Sequence, residues 1–334
     1  MHAKEAFLAA ALMVGALISL SAHQSQAQTV LRVGAAGNKD FAFAKAVDES
    51  FVPAVAKATN NCVTVQTFWG NQLGSLQENV GQTRNGTIFA TTASTAYFNT
   101  YVQELDVVNL PFLFSDRETA FRVFDGPLGQ ELAAKLLEKG FVVLGYFELG
   151  FRQLTNRSRP ITSPDGLKGL KIRVQPNPVH LDTFRLLGAN PIQIDVKELF
   201  EALRQGVVDG QENPYVFIDL LKYHEAGQKY VSDTGHFYDI MLFVASKRLM
   251  DELSATDRQA IMKAGAEATA YQRRVSGEMN ATGRERMLKN GYQFTQLTPA
   301  QREAFRQRSA PIYKQIEDKL GKEFVARFVK AAGK

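Results

Sequence analysis

Forty consecutive residues, Asp251 to Asn290, contain no proline, and apolar side chains recur at helical spacing through Ile261, Ala264, Ala268 and Tyr271. A single helix of about 30 residues is expected there, ~45 Å long at 1.5 Å per residue. Such a rod outreaches one compact core, so it is expected to lie across two bodies. The chain length of 334 residues agrees, since single cores stop growing before that size.

The rest of the chain alternates strand and helix. Val30–Val33 reads as a strand, about 41–58 as a helix and Cys62–Phe68 as a second strand, the order of a parallel α/β unit. A helix to about Asn85 and a strand at Ile88–Thr92 extend it. Ser115 and Glu118 have the spacing of a capping box, and helix 129–139 leads to an apolar strand at Phe141–Phe147. A second segment opens at Arg152, with strands expected at Arg152–Thr155 and Leu170–Val174 and helices at about 176–187 and 195–205. Ile240–Ala245 reads as a strand returning to the first body. Residues 28–150 with about 242–283 are expected to form one lobe, and 151–241 with about 284–334 the other.

At the N-terminus, Lys4 precedes an apolar run from Ala6 to Leu20, and Ser25-Gln26-Ala27 places small residues where a signal peptidase cuts. Residues 1–27 are therefore expected to be a cleaved leader, the run being short of the ~20 residues a spanning helix needs. Export with Cys62 as the sole cysteine excludes an internal disulfide, so the fold must rest on its core. Cys62 opens an alternating strand pattern and reads as a buried structural thiol. The five histidines are dispersed, which gives no metal-ligand spacing. A net charge of +5 from scattered basic residues offers no nucleic-acid-binding run.

The chemistry concentrates in three segments: Gly166–Val174 (GLKGLKIRV), Gly188–Pro191 (GANP) and Gly206–Pro214 (GVVDGQENP). In the first, alternation puts Ile172 and Val174 on one face of a short strand and Arg173 on the other. A guanidinium offers paired donors matching both oxygens of a carboxylate and keeps its charge at any working pH. On these residues alone Arg173 is either such an anchor or an exposed surface arginine, and Asn213 either a ligand contact or the turn residue before Pro214.

Leu167–Val174, Val208–Pro214, Gly150–Asn156 and Asn71–Gly74 together resemble, in order and spacing, the solute-binding proteins of tripartite ATP-independent periplasmic (TRAP) transporters, over Leu31 to about Ser246. The resemblance implies a two-lobed periplasmic binding protein fold of α/β class, with hinge strands, a long C-terminal helix spanning both lobes, and ligand held between them. It implies that Arg173 grips a carboxylate, that Asn213 hydrogen-bonds it, and that Arg152 is a second arginine near the lobe crossing, with an internal acid such as Glu148 as its alternative partner. Further candidate contacts are Lys39, suited to a second carboxylate, the single Trp69, Thr92 with Ser94, and Tyr238 with Tyr215 and Phe217. Two departures alter the pocket. Thr91-Thr92-Ala93-Ser94 replaces the acidic side chain found in sialic-acid binders, and Asp195-Val196 replaces a large aromatic.

The function expected is that of a monomeric periplasmic receptor that captures a small organic acid, with C4-dicarboxylates the first guess, and delivers it to a TRAP membrane permease, without cofactor, metal or catalytic residues. The rivals are an exported enzyme acting on a small carboxylate, with Asp195, Glu198, Glu201 and Glu212 as its acids, and a partner that presents bound ligand to a sensor domain. No Gly-x-Ser-x-Gly, His-Glu-x-x-His or Cys–His pairing supports the enzyme.

Overall fold

The computed structural model describes residues 28–334; the expected leader lies outside the described residues. Among the described residues nine strands form one sheet: β1 (Thr29–Gly34), β2 (Val63–Phe68), β3 (Ala90–Ser94), β4 (Phe141–Asn156), β5 (Lys171–Val174), β6 (Asn190–Gln193), β7 (Gly210–Pro214), β8 (Tyr230–Ser246) and β9 (Gln293–Thr295). Their order is β2-β1-β3-β8-β4-β7-β5-β6, with β9 on β8. β1 runs parallel to β2 and β3, and β5 parallel to β6 and β7. Each parallel group needs helical crossovers, which Leu76–Asn85 and Pro178–Leu186, among others, supply. The result is two α/β lobes.

Two long antiparallel strands join them. β4 and β8 pair from Phe141↔Ser246 to Asn156↔Tyr230, with register shifts at Val143/Gly145, Glu148/Gly150 and Arg152/Leu154. At 16 and 17 residues each spans roughly 50 Å, enough to leave one lobe and enter the other. Phe141–Phe147 and Arg152–Thr155, expected as separate elements, are thus one strand, and the expected strand Ile240–Ala245 is the far end of one that begins at Tyr230. Gly150 interrupts the apolar pattern, yet at φ +108° it absorbs a bulge that no side chain would tolerate, and the ladder continues.

The proline-free run is a 35-residue helix, Ala255–Lys289, started by Ser254, whose Oγ accepts from the Asp257 N–H at 3.0 Å. It braces both lobes. Tyr271 donates its hydroxyl to Glu49 in the first, and Arg286 Nε donates to Asp219 Oδ2 at 2.6 Å in the second. Between them, the amide of Gln272 bonds both backbone groups of Glu148, at 2.8 Å to its N–H and 2.7 Å to its carbonyl. The helix is therefore pinned at the bulge where the strands cross.

Apolar clusters cover both faces of each lobe. Phe98, Leu105, Leu132 and Phe141 lie on one side of the first lobe, and Phe43, Phe51, Phe147 and Phe243 on the other. Leu154, Ile172 and Phe184 fill one side of the second, and Leu199, Leu203 and Val231 its other side. One boundary needs correction. Pro299–Ser309 packs Phe305 into the second lobe, but Pro311–Leu320 and Lys322–Ala331 bury Ile312, Ile316, Val325 and Phe328 with Leu105 and Leu132 of the first. Their apolar faces are plain in sequence; which core they complete is not. Two smaller expectations also shift. The helix after Ser115 is capped by Asp116, which accepts from the Thr119 N–H at 2.7 Å, and Cys62 is half-buried rather than enclosed.

Candidate functional site

β5 ends at the seam between lobes and brings Arg173 there. The side chain is 1% exposed, and its Nε donates to the Ile194 carbonyl at 2.7 Å. Nη2 points across the seam to the hydroxyl of Tyr97, 3.4 Å away, from the turn Thr95–Phe98 after β3. Among the described residues Arg173 has no carboxylate partner. The strand face that carries it looks into the other lobe, not into water, which settles the alternative of a surface arginine.

Arg152 on β4 is fully buried nearby, and its charge is already matched. Nε and Nη2 grip the carboxylate of Glu212, and Nη1 donates to Asp239 Oδ2 at 2.6 Å. Glu148, the acid given as its alternative partner, pairs instead with Arg117, which donates through Nη2 at 2.7 Å. Burial opposes the charge of Arg152, but Glu212 and Asp239 outweigh it and push its pKa further up. Burial likewise works against the Glu212 carboxylate. Arg152 foremost, then His180 and His236, hold it well below the usual range. His236 Nε2 lies 3.2 Å from Glu212 Oε2, a carboxylate oxygen that only accepts, so Nε2 carries a proton, and Nδ1 shares a hydrogen bond of 2.7 Å with the Thr234 hydroxyl. Burial lowers its pKa against the pull of Glu212.

Asn213 is 3% exposed and sits inside strand β7, not in a turn before Pro214. Its Nδ2 donates to Gln211 Oε1 at 2.6 Å, and Gln211 is the register partner of Arg173 on β5. Arg173, Asn213 and Arg152 therefore lie on the adjacent strands β5, β7 and β4. From the first lobe, Ser94 donates to Asp239 Oδ1 at 2.7 Å, and Thr92, two residues earlier on β3, is fully buried with its Oγ1 unpartnered.

Five expected contacts are not part of this group. Trp69 is packed on Phe43 in the first lobe's core and donates its indole N–H to Asp48 at 2.8 Å. Tyr238 donates to Glu148 at 2.8 Å with its ring against Phe114 and Phe151, because strand alternation turns it away from the face that Asp239 occupies. Lys39 is exposed in the loop after β1. Tyr215 bonds Asp233, and Phe217 packs on Phe41, which commits both to structure.

Several residues here escaped the sequence reading. Tyr97 reaches the site from a short turn with no pattern of its own, and burial pushes its hydroxyl up to about 12 against the pull of Arg173. Tyr223 shares this environment, feeling the charges of both arginines. Asp239 and Gln175 were accessible by alternation. Gln175 lies two residues beyond Arg173 and donates through Nε2 to Asp239 Oδ2 at 3.0 Å. Asp195 caps the helix Val196–Arg204 and also accepts from the Gln77 N–H of the first lobe at 3.3 Å.

A separate cavity of about 550 Å³ opens at the lobe crossing, lined by Arg117, Glu148, Phe151, Gln153, Tyr215 and Asn280 among others. Its arginine is already paired with Glu148, so the uncompensated cation is at Arg173, not there. Among the described residues no group of three or more His, Cys, Asp or Glu is placed to hold a metal, and no helix is long and apolar enough to cross a membrane.

Residues 34–320 match the family described as bacterial extracellular solute-binding protein, family 7. A solute-binding protein of Verminephrobacter eiseniae is 35% identical over 296 residues, covering 89% of this chain and 87% of its own. The sugar acid binding protein of Advenella mimigardefordensis, in complex with galactonate, superposes with a TM-score of 0.89 at 35% identity, covering 92% of this chain and 98% of that one. A TRAP periplasmic solute-binding protein of a Polaromonas species, bound to D-erythronate, gives 0.87 at 35% identity, covering 90% and 98%.

Proposed function

The chain belongs to the bacterial extracellular solute-binding proteins of family 7, so it is a solute-binding receptor and not an enzyme, and we propose that its solute is a small organic acid whose carboxylate is held by Arg173 between the lobes. One observation carries this reading. Arg173 is 1% exposed and bonds a carbonyl and a phenol, with no carboxylate partner among the described residues. A buried unmatched charge is costly, and a carboxylate enclosed as the lobes close would match it. Asn213 on the next strand supplies an amide beside that carboxylate. Arg152, with four of its five N–H groups spent on Glu212 and Asp239, acts behind the ligand, holding β4, β7 and β8 together. Three of the four acids of the enzyme rival are occupied, Asp195 as a cap, Glu201 by Arg204 at 2.6 Å and Glu212 by Arg152, and the fourth, Glu198, is exposed on the first turn of the helix Val196–Arg204.

In this proposal the receptor works in the periplasm after cleavage near Ala27, as a monomer, and passes its ligand to a TRAP membrane permease. β4 and β8 serve as the hinge about Gly150 and Asp239, and closure is a rigid-body motion of the lobes. A thermal-shift screen of carboxylic acids on residues 28–334 tests the reading, because a ligand that binds only the native state raises the melting temperature. Stabilisation by acids that vanishes in Arg173→Ala is the expected result. A panel of acids that all leave the melting temperature unchanged would refute it.

A further inference from the structure

We propose that the acid held at Arg173 carries hydroxyl groups in place of a second carboxylate, and that Gln175 selects it; this rests on the receptor reading above. Charge comes first. The buried arginine Arg152 already faces two buried acids, Glu212 and Asp239. Arg173 is then the buried cation left to meet a ligand, which is enough for one carboxylate. A second would need another cation, and Lys39, the residue suited to it, is exposed in the loop after β1.

Hydrogen-bond direction points the same way. Gln175 is 4% exposed and its Nε2 donates to Asp239 Oδ2 at 3.0 Å. Turning the amide over would press Oε1 against a carboxylate, so the neighbour determines its orientation. Oε1 is left buried without a protein partner. An amide oxygen only accepts, so its complement must donate. A hydroxyl donates; an ionised carboxylate and a methylene do not.

Position completes the argument. Gln175 lies two residues beyond Arg173, just past the end of β5, and two residues of strand span ~7 Å. That is the scale of a carboxylate and the hydroxyls a few carbons away. From the opposite lobe, the unpartnered Thr92 Oγ1 shares a strand face with Ser94, which bonds the same Asp239. Each lobe thus leaves one orphaned oxygen, Gln175 Oε1 from a side chain that bonds Asp239 and Thr92 Oγ1 from a position two residues before one that does.

Three four-carbon acids make the test: D-erythronate (hydroxylated), succinate (a second carboxylate) and butyrate (neither), titrated calorimetrically into residues 28–334. An acceptor left buried and unmatched costs about 1–3 kcal/mol, so D-erythronate should bind roughly 5–150-fold tighter than butyrate, and tighter than succinate. In Gln175→Met, which leaves Asp239 its bonds to Arg152 and Ser94, the D-erythronate affinity should fall toward that of butyrate, whose own affinity stays put. Succinate binding the native protein as tightly as D-erythronate overturns the inference while leaving the receptor reading intact, and so does an equal loss for D-erythronate and butyrate in Gln175→Met. Binding of none of the three, with other acids also silent, removes the receptor reading and this inference together.

Discussion

Replacing Arg173 should separate binding from stability. In the liganded protein the guanidinium would be one half of a desolvated ion pair, and removing one half of such a pair costs about 3–5 kcal/mol. At 1.4 kcal/mol per decade, Arg173→Ala should weaken acid binding by roughly 10²–10⁴-fold. Arg173→Lys keeps the charge but loses the paired donors and the Nε bond to the Ile194 carbonyl, so it should recover little of that loss. Without ligand the expectation reverses. The side chain is then a buried cation facing a carbonyl and a phenol, so the similarly long, apolar Arg173→Met should leave the melting temperature unchanged or raise it. Calorimetric titration and thermal melts, run on the same preparations, read both quantities. Near-native affinity in Arg173→Ala removes the residue from the site. A large loss of melting temperature in unliganded Arg173→Met would show that its role is structural.

Closure contacts should govern release. Tyr97→Phe removes the hydroxyl that meets Arg173 Nη2 and the Val196 N–H, and Asp195→Asn weakens the bond to the Gln77 N–H across the seam; each should speed dissociation by about 5–10-fold, at ~1 kcal/mol per net hydrogen bond. Stopped-flow displacement reads this, and unchanged off-rates would deny these contacts a part in holding the lobes shut. Glu212→Gln leaves the buried Arg152 without its main counter-charge and should cost about 3–5 kcal/mol in denaturant melts; a loss under 1 kcal/mol would contradict the pairing. For His236, the lowered folded pKa means the unfolded chain binds the extra proton. Its contribution is therefore complete above the ordinary value near 6.5 and is lost as pH falls below it. Glu212, also depressed, keeps its contribution until pH drops below about 4.5. The melting temperature should fall between pH 6.5 and 5, less steeply in His236→Asn; identical slopes would reject this origin.

The alternation of residues, the caps and the missing prolines determined on their own that this chain is α/β, two-bodied and braced by one long helix, because these signals act over a few residues. The side of the strand from which Arg173 emerges was legible as well, since a strand period of two is local. Whether its outward face met water or another lobe was not, because that depends on closure of two bodies joined through residues far apart in sequence. The same distance hid the acids of Arg152. Glu212 lies 60 positions away and Asp239 lies 87, and only the pairing of β4 with β7 and β8 brings them to one guanidinium. Tertiary structure likewise decided that Trp69 and Tyr238 spend their polar atoms on Asp48 and Glu148. Sequence names the donors, whereas packing of distant strands decides which acceptor each donor meets first.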